Sequence, residues 1–132
     1  MVHPAVLVAS IFEDAWNRQD FDTVAPALTR FRFHIRGTTR SMELDELERI
    51  VQDWHAAFPD LRFDVHAIVV SDGRAGVHAT LRGTHHGPWQ GLAGTGRPIE
   101  VEHMFFFRFD GERISDVWEL LDSAQLRGQL EP

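Results

Sequence analysis

The chain has 132 residues, the length of a single domain spanning 1–132, and can bury roughly 70% of its unfolded surface without disulfide or metal staples. With 43% hydrophobic and 25% charged residues it is neither disordered nor fibrous, and a net charge of −7 opposes nucleic-acid binding, which rests on neutralising phosphates. The absence of Cys removes disulfides, thiolate metal sites and thiol nucleophiles, and the absence of Tyr removes any Tyr acid or nucleophile.

Residues 5–18 read as a helix, because Val6, Ala9, Phe12, Ala15 and Trp16 recur at helical spacing behind Pro4. Its apolar run is shorter than the roughly 20 residues of a membrane span. It carries no basic region or cleavage site of a signal peptide, so a cytoplasmic location without membrane contact is expected. Residues 20–28 suggest a second short helix with Asp22 as a cap. The alternating residues 31–36 read as a strand and 37–40 as a turn. Ser41 is the expected cap of a third helix, whose stripe is Leu44, Leu47, Ile50, Val51, Trp54 and Phe58, stopped by Pro59-Asp60. After that the period changes to two. Strands are expected over 61–70, 75–86, 98–109 and 113–122, with hairpin turns at Asp72-Gly73 and Asp110-Gly111. Residues 87–96 form a longer loop, and 124–130 a terminal helical turn. This order predicts an α+β fold in which three helices cover one face of a curved antiparallel sheet and enclose an apolar pocket.

Strand parity assigns faces. Leu61, Phe63, Val65, Ala67 and Val69 share one row, Ala75, Val77, Ala79 and Leu81 another, and Ile99, Val101, Phe105, Phe107 and Phe109 a third, interrupted by His103. On the last strand Ser115, Val117, Glu119 and Leu121 oppose Ile114, Asp116, Trp118 and Leu120, a split that a bulge would exchange. His103 and Glu119 are thus lone ionisable groups in apolar rows. Such groups are paired, hydrogen-bonded or line a cavity, and a Glu–His pair suits proton transfer. The bland alternative is a satisfied core histidine and a solvent-facing glutamate. The parity of His34 with Arg32 and Arg36 reads as solvent-facing. His85-His86 point to opposite faces and no HxxxH or HExxH spacing occurs, so no metal site is expected. The 91–96 stretch Gly-Leu-Ala-Gly-Thr-Gly joins two strands and opens no helix, so it is a flexible loop and not a phosphate cradle. Trp16, Trp54, Trp89 and Trp118 are either core residues or an aromatic pocket wall.

Several motifs then occur in a specific order. They are Ala15-Trp16-Asn17-Arg18-Gln19-Asp20, Ala57-Phe58-Pro59-Asp60-Leu61-Arg62, and Gly83-Thr84-His85-His86-Gly87 with Gly94-Thr95-Gly96-Arg97. Phe109-Asp110-Gly111-Glu112-Arg113-Ile114 and Trp118-Glu119-Leu120-Leu121-Asp122 follow. Together they resemble the SnoaL-like polyketide cyclase family of the nuclear transport factor 2-like fold. The resemblance implies a cone-shaped sheet with three helices around a deep apolar cavity, and a cofactor-independent enzyme that closes a polyketide ring by intramolecular aldol condensation. It assigns the catalytic acid to Glu119, where the family commonly has Asp. The family's histidine falls at Phe105, and His103, two residues earlier on the same face, is the candidate to replace it by stabilising or protonating the enolate oxygen. It also places Trp16, His34 and Ile50 on the cavity wall; Trp54, Phe105, Trp118 and Asp122 complete the expected substrate-binding set. A hydrophobic small molecule is the expected partner, with a homodimer formed through the sheet face. Alternatives within the fold are a non-catalytic binding protein, a cofactor-free hydroxylase, or an epoxide hydrolase in which Arg108 and Asp122 meet in the pocket.

Overall fold

The computed structural model describes residues 3–131. Helix α1 (Pro4–Ser10) continues as a widened π-helical segment, Ile11–Trp16. A 3-10 turn, Ala25–Ala27, then leads into the hairpin β1 (Arg30–Ile35) and β2 (Thr38–Glu43). Helix α2 (Leu44–Ala57) precedes four long strands: β3 (Arg62–Ser71), β4 (Arg74–Thr84), β5 (Pro98–Asp110) and β6 (Arg113–Leu121). Helix α3 (Ser123–Leu130) follows. The strands form one curved, unclosed sheet in the order β2-β1-β6-β5-β4-β3. The expected α+β cone is present, and its sheet is mixed, because β1 runs parallel to β6 with Ile35 level with Glu119.

Three expected elements differ. Residues 38–43 form a strand where a turn and a helix cap were expected: Thr38, Thr39, Arg40 and Ser41 are exposed and only Met42 is buried, so an edge strand carries no apolar row. The cap of α2 is therefore Glu43 and not Ser41, and Glu46 accepts from its backbone N–H at 3.4 Å. Residues 20–28 hold no regular helix beyond the 3-10 turn, since Pro26 lies within it.

Two bulges re-aim strand faces. Pairing shifts between Val65 and Ala67, so His66 is the extra residue. Phe63 and Val65 stay inside, whereas Ala67 and Val69, expected on the same row, turn outward and leave Ile68 and Val70 packed on the core. On β6, Arg108 pairs with Asp116 but Phe109 with Ile114, which makes Ser115 the extra residue. Ile114 is thereby buried on the same side as Val117. On β4 and β5 the expected rows hold: Ala75, Val77, Ala79 and Leu81, and Ile99, Val101, Phe105 and Phe107, are all buried.

Candidate active site

The inner face of the sheet and the helices enclose a cavity of about 330 Å³, at the small end of the roughly 300–1,000 Å³ range of small-molecule sites. The helical N-terminus supplies one wall. The wide turn of its π-helical segment buries Ile11, Phe12, Ala15 and Trp16 together, and Phe12 and Trp16 line the cavity. Asn17 fixes this turn on β3: its side chain accepts from the Phe63 N–H at 2.8 Å and donates to the Phe63 carbonyl at 3.1 Å, as a neighbouring strand would. His55 of α2 donates to the Trp16 carbonyl at 2.6 Å. Ile50 and Trp54 form the α2 wall, and Phe105 and Phe107 the floor.

Among the described residues one carboxylate lines this cavity, Glu119. Its side chain is 12% exposed, and its Oε2 lies 3.2 Å from Nε2 of His103, which is 1% exposed. The contact is a diagonal one. Across the β5–β6 ladder Glu119 faces Phe105, while His103 faces Leu121. Diagonal neighbours lie roughly 7–8 Å apart at the backbone, within reach of long side chains. The extra methylene of Glu relative to Asp supplies that reach.

The imidazole orientation follows from its other nitrogen. His103 Nδ1 lies 3.3 Å from the Val101 carbonyl, which can only accept, so Nδ1 carries a proton. Nε2 then meets Glu119 either as the acceptor of a carboxylic O–H or, as imidazolium, as a donor to the carboxylate. Either way one proton lies on the Nε2–Oε2 line. His103 itself does not line the cavity. Its ring packs edge-on against Phe63 at 5.2 Å and stacks on Phe105 at 5.6 Å, which corrects the expectation that it reaches an enolate oxygen.

Trp16, Ile50, Trp54, Phe105 and Glu119 are thus brought together, and three expected wall residues are not. His34 and Trp118 lie on the opposite face of the sheet, stacked at 4.3 Å, because strand parity turns them away from Phe33 and Val117. Asp122 accepts from the Gln125 N–H at 3.0 Å and caps α3. Arg108 also faces outward, level with Asp116, so the Arg108–Asp122 pocket pair of an epoxide hydrolase does not form.

The outer face has its own buried charge. Asp116, whose side chain is 2% exposed, accepts from Arg32 Nε at 2.8 Å and Nη2 at 3.1 Å, from His34 Nε2 at 2.9 Å and from Ser115 at 2.8 Å. Burial alone raises its pKa, but the hydrogen bonds from Arg32, His34 and Ser115 outweigh burial and hold it well below the usual carboxylate range. Sequence parity gave no sign of this cluster, because it joins strands 84 residues apart.

The family model described as SnoaL-like polyketide cyclase matches residues 6–130. Among solved structures, the candidate polyketide cyclase IdmH of Streptomyces antibioticus is 26% identical over 98% of this chain and 99% of that one, with a TM-score of 0.83. TsrD of Streptomyces laurentii is 21% identical over 98% of both chains, TM-score 0.82. The candidate hydroxylase AclR of Streptomyces galilaeus is 20% identical over 96% of this chain and 79% of that one, TM-score 0.80. The last two likenesses concern the fold alone. No curated protein sequence matches.

Proposed function

Because the chain belongs to the SnoaL-like polyketide cyclase family, we propose that it is a cofactor-independent acid/base catalyst that closes a ring in a hydrophobic polyketide-type carbonyl compound by an intramolecular aldol step. The observation that carries this reading is a carboxylate, the single one among the described residues, in an otherwise largely apolar cavity, backed by a buried imidazole at 3.2 Å. Glu119 Oε1 takes a proton from the carbon beside a carbonyl while the proton shared with Oε2 rests on His103 Nε2, and the C–H electron pair becomes the enolate. The enolate carbon bonds to a second carbonyl carbon of the same molecule, whose π electrons move onto oxygen. The Glu119 carboxylic acid returns the proton to that alkoxide, so the base is regenerated. His103 is a positioning residue: it holds Oε2 and leaves Oε1 for the substrate. The apolar wall excludes water and holds the chain folded near its reactive shape, which removes much of the entropic barrier.

The test is proton exchange at carbon. In D2O the enzyme should accelerate deuterium uptake beside the carbonyl of 2-tetralone, read by NMR. Glu119→Gln should lower the acceleration by about 10² to 10⁴, His103→Phe by less, and the outward Glu102→Gln should leave it unchanged. Binding of the ketone should survive in Glu119→Gln. A Glu119→Gln protein with full exchange activity removes Glu119 as the base, and a wild type that binds the ketone without accelerating exchange is a binding protein.

The same reading places a homodimer at the outer sheet face, in a cytoplasm that suits a chain without cysteine. Its support is a groove where Val69, Met104, Phe106 and Leu120 are 67%, 48%, 40% and 69% exposed. So much contiguous apolar surface marks an interface.

A further inference from the structure

The polar residues at the cavity follow a pattern that the proposed acid/base step does not use. Besides Glu119, the polar lining residues are Arg36, Gln90, Ser123 and Arg127. They come from separate elements that meet at one end of the sheet. β1 and β6 are parallel, with Ile35 level with Glu119, so Arg36 leaves β1 at the same edge from which β6 turns into α3, the helix carrying Ser123 and Arg127. The 89–92 turn joins them, its Gln90 Oε1 accepting from Arg127 Nη2 at 3.3 Å.

Two of these residues occupy unfavourable backbone to be there. Trp89 and Leu92 exchange backbone hydrogen bonds of 2.8 Å each way, and Gln90 and Gly91 between them have φ of 44° and 83°. Arg36 and Gly37, between β1 and β2, have φ of 50° and 76°. Both are tight turns of the kind whose first central position favours Asn, Asp or Gly. The third such turn, between β3 and β4, has the ordinary choice, Asp72 with φ 50° before Gly73, and it does not line the cavity. Long side chains in the left-handed region cost conformational energy, and such strain gathers at functional sites. Of the three long side chains held in that region among the described residues, Arg36 and Gln90 line the cavity and Gln19, after the π-helical segment, does not.

The charge at this mouth is uncompensated. All 13 Lys-or-Arg positions of the chain are Arg, and neither Arg36 nor Arg127 has a carboxylate partner among the described residues. Seven others do pair with Asp or Glu, and of the six that do not, Arg36 and Arg127 are the two that line the cavity. Two guanidiniums without a carboxylate partner among the described residues, at the rim of an apolar cavity in a chain of net charge −7, present planar forks that match a carboxylate. Glu119, held by His103, is the only carboxylate among the described residues that lines the same space.

We propose that Arg36 and Arg127, the latter steadied by Gln90, form a carboxylate-recognition subsite at the cavity mouth. The ligand is then an apolar ring-sized acid whose body fills the cavity toward Glu119 while its carboxylate stays at the rim. This rests on the reading of the cavity as a small-molecule site and adds the chemical class of its occupant. The carboxylate orients the molecule end to end, which decides which carbon faces Glu119.

Calorimetric titration with 2-anthracenecarboxylate and its methyl ester tests the subsite. The acid should bind about tenfold more tightly than the ester, as charge-assisted bonds at a partly exposed site give, and the preference should shrink as salt is raised. Arg36→Gln and Arg127→Gln should each weaken the acid severalfold and leave the ester unchanged. Gln90→Gly, which relieves the backbone, should keep or raise Tm while reducing the preference for the acid; a merely structural Gln90 would not move that preference. Equal binding of acid and ester by the wild-type protein overturns the subsite and leaves the proposed catalytic reading intact. Arginine variants that weaken acid and ester alike overturn it too. Failure of both ligands to bind overturns the subsite together with the cavity as their site.

Discussion

At the level of single residues, Glu119 and His103 were legible as ionisable interruptions of apolar rows, and their pairing depends on side-chain length. Since the facing position is Phe105 and the imidazole sits diagonally, Glu119→Asp keeps a carboxylate but withdraws it from His103. Deuterium exchange should fall by about 10²-fold, the scale of an ångström-sized misplacement. Adding Phe105→His puts an imidazole directly opposite the shorter acid and should recover part of the loss; no recovery would show that the His103 contact is not what positions the base. On the other face, Asp116→Asn removes the carboxylate from Arg32, His34 and Ser115 and should cost about 2 kcal/mol at neutral pH. Because the folded pKa of Asp116 is depressed, its stabilisation is complete above the unfolded carboxylate value near 4 and is lost as pH falls toward the folded value. Urea unfolding should therefore show the gap between wild type and Asp116→Asn narrowing below about pH 4. A gap that stays constant to low pH would mean that the charge is not the source.

Elements with a strong period could be read, and elements without one could not. Strands β4 and β5 announce themselves by alternation, and α2 by its stripe, whereas β2 holds a single buried residue, Met42, in six. The bulges at His66 and Ser115 are invisible to parity, which is why Ala67, Val69 and Ile114 changed faces. Parity with Arg32 put His34 on the correct, outer face of the sheet, but its side chain is 19% exposed and packed on Trp118 and Asp116 where a solvent-facing one was expected, and the family resemblance had moved it to the cavity. Arg36, Gln90 and Arg127 escaped notice because turns and short helices carry no pattern that points inward. Asn17 shows how an element is fixed by a residue outside any pattern. Its two bonds to Phe63 lock the end of the N-terminal helix to β3, so Asn17→Ala should lower stability by about 2 kcal/mol in chemical denaturation. Asn17→Asp should not rescue it, because a carboxylate cannot donate to the Phe63 carbonyl. An Asn17→Ala protein as stable as wild type would mean that helical packing alone holds Trp16 in place.

For the whole molecule, the outer groove predicts its own assembly state. Light scattering at micromolar concentration should give a mass near twice the 15.1 kDa of one chain, and Leu120→Arg or Phe106→Arg should return it to that of one chain; a monomeric wild type removes the interface. The sheet order has a further consequence, for the time course of folding. β3 to β6 follow one another as neighbouring hairpins, but the β1–β2 hairpin joins the sheet only through β6, across a separation of 84 residues between Arg32 and Asp116. Closing a loop of that length costs entropy before any contact repays it, so this pairing is the slow step. Until it happens, Phe105 and Phe107 lie on an open concave surface whose lining Phe31 and Phe33 have not yet completed. The chamber around Glu119 is therefore expected to close last, and chains in which only the four long strands have paired would expose this surface to aggregation.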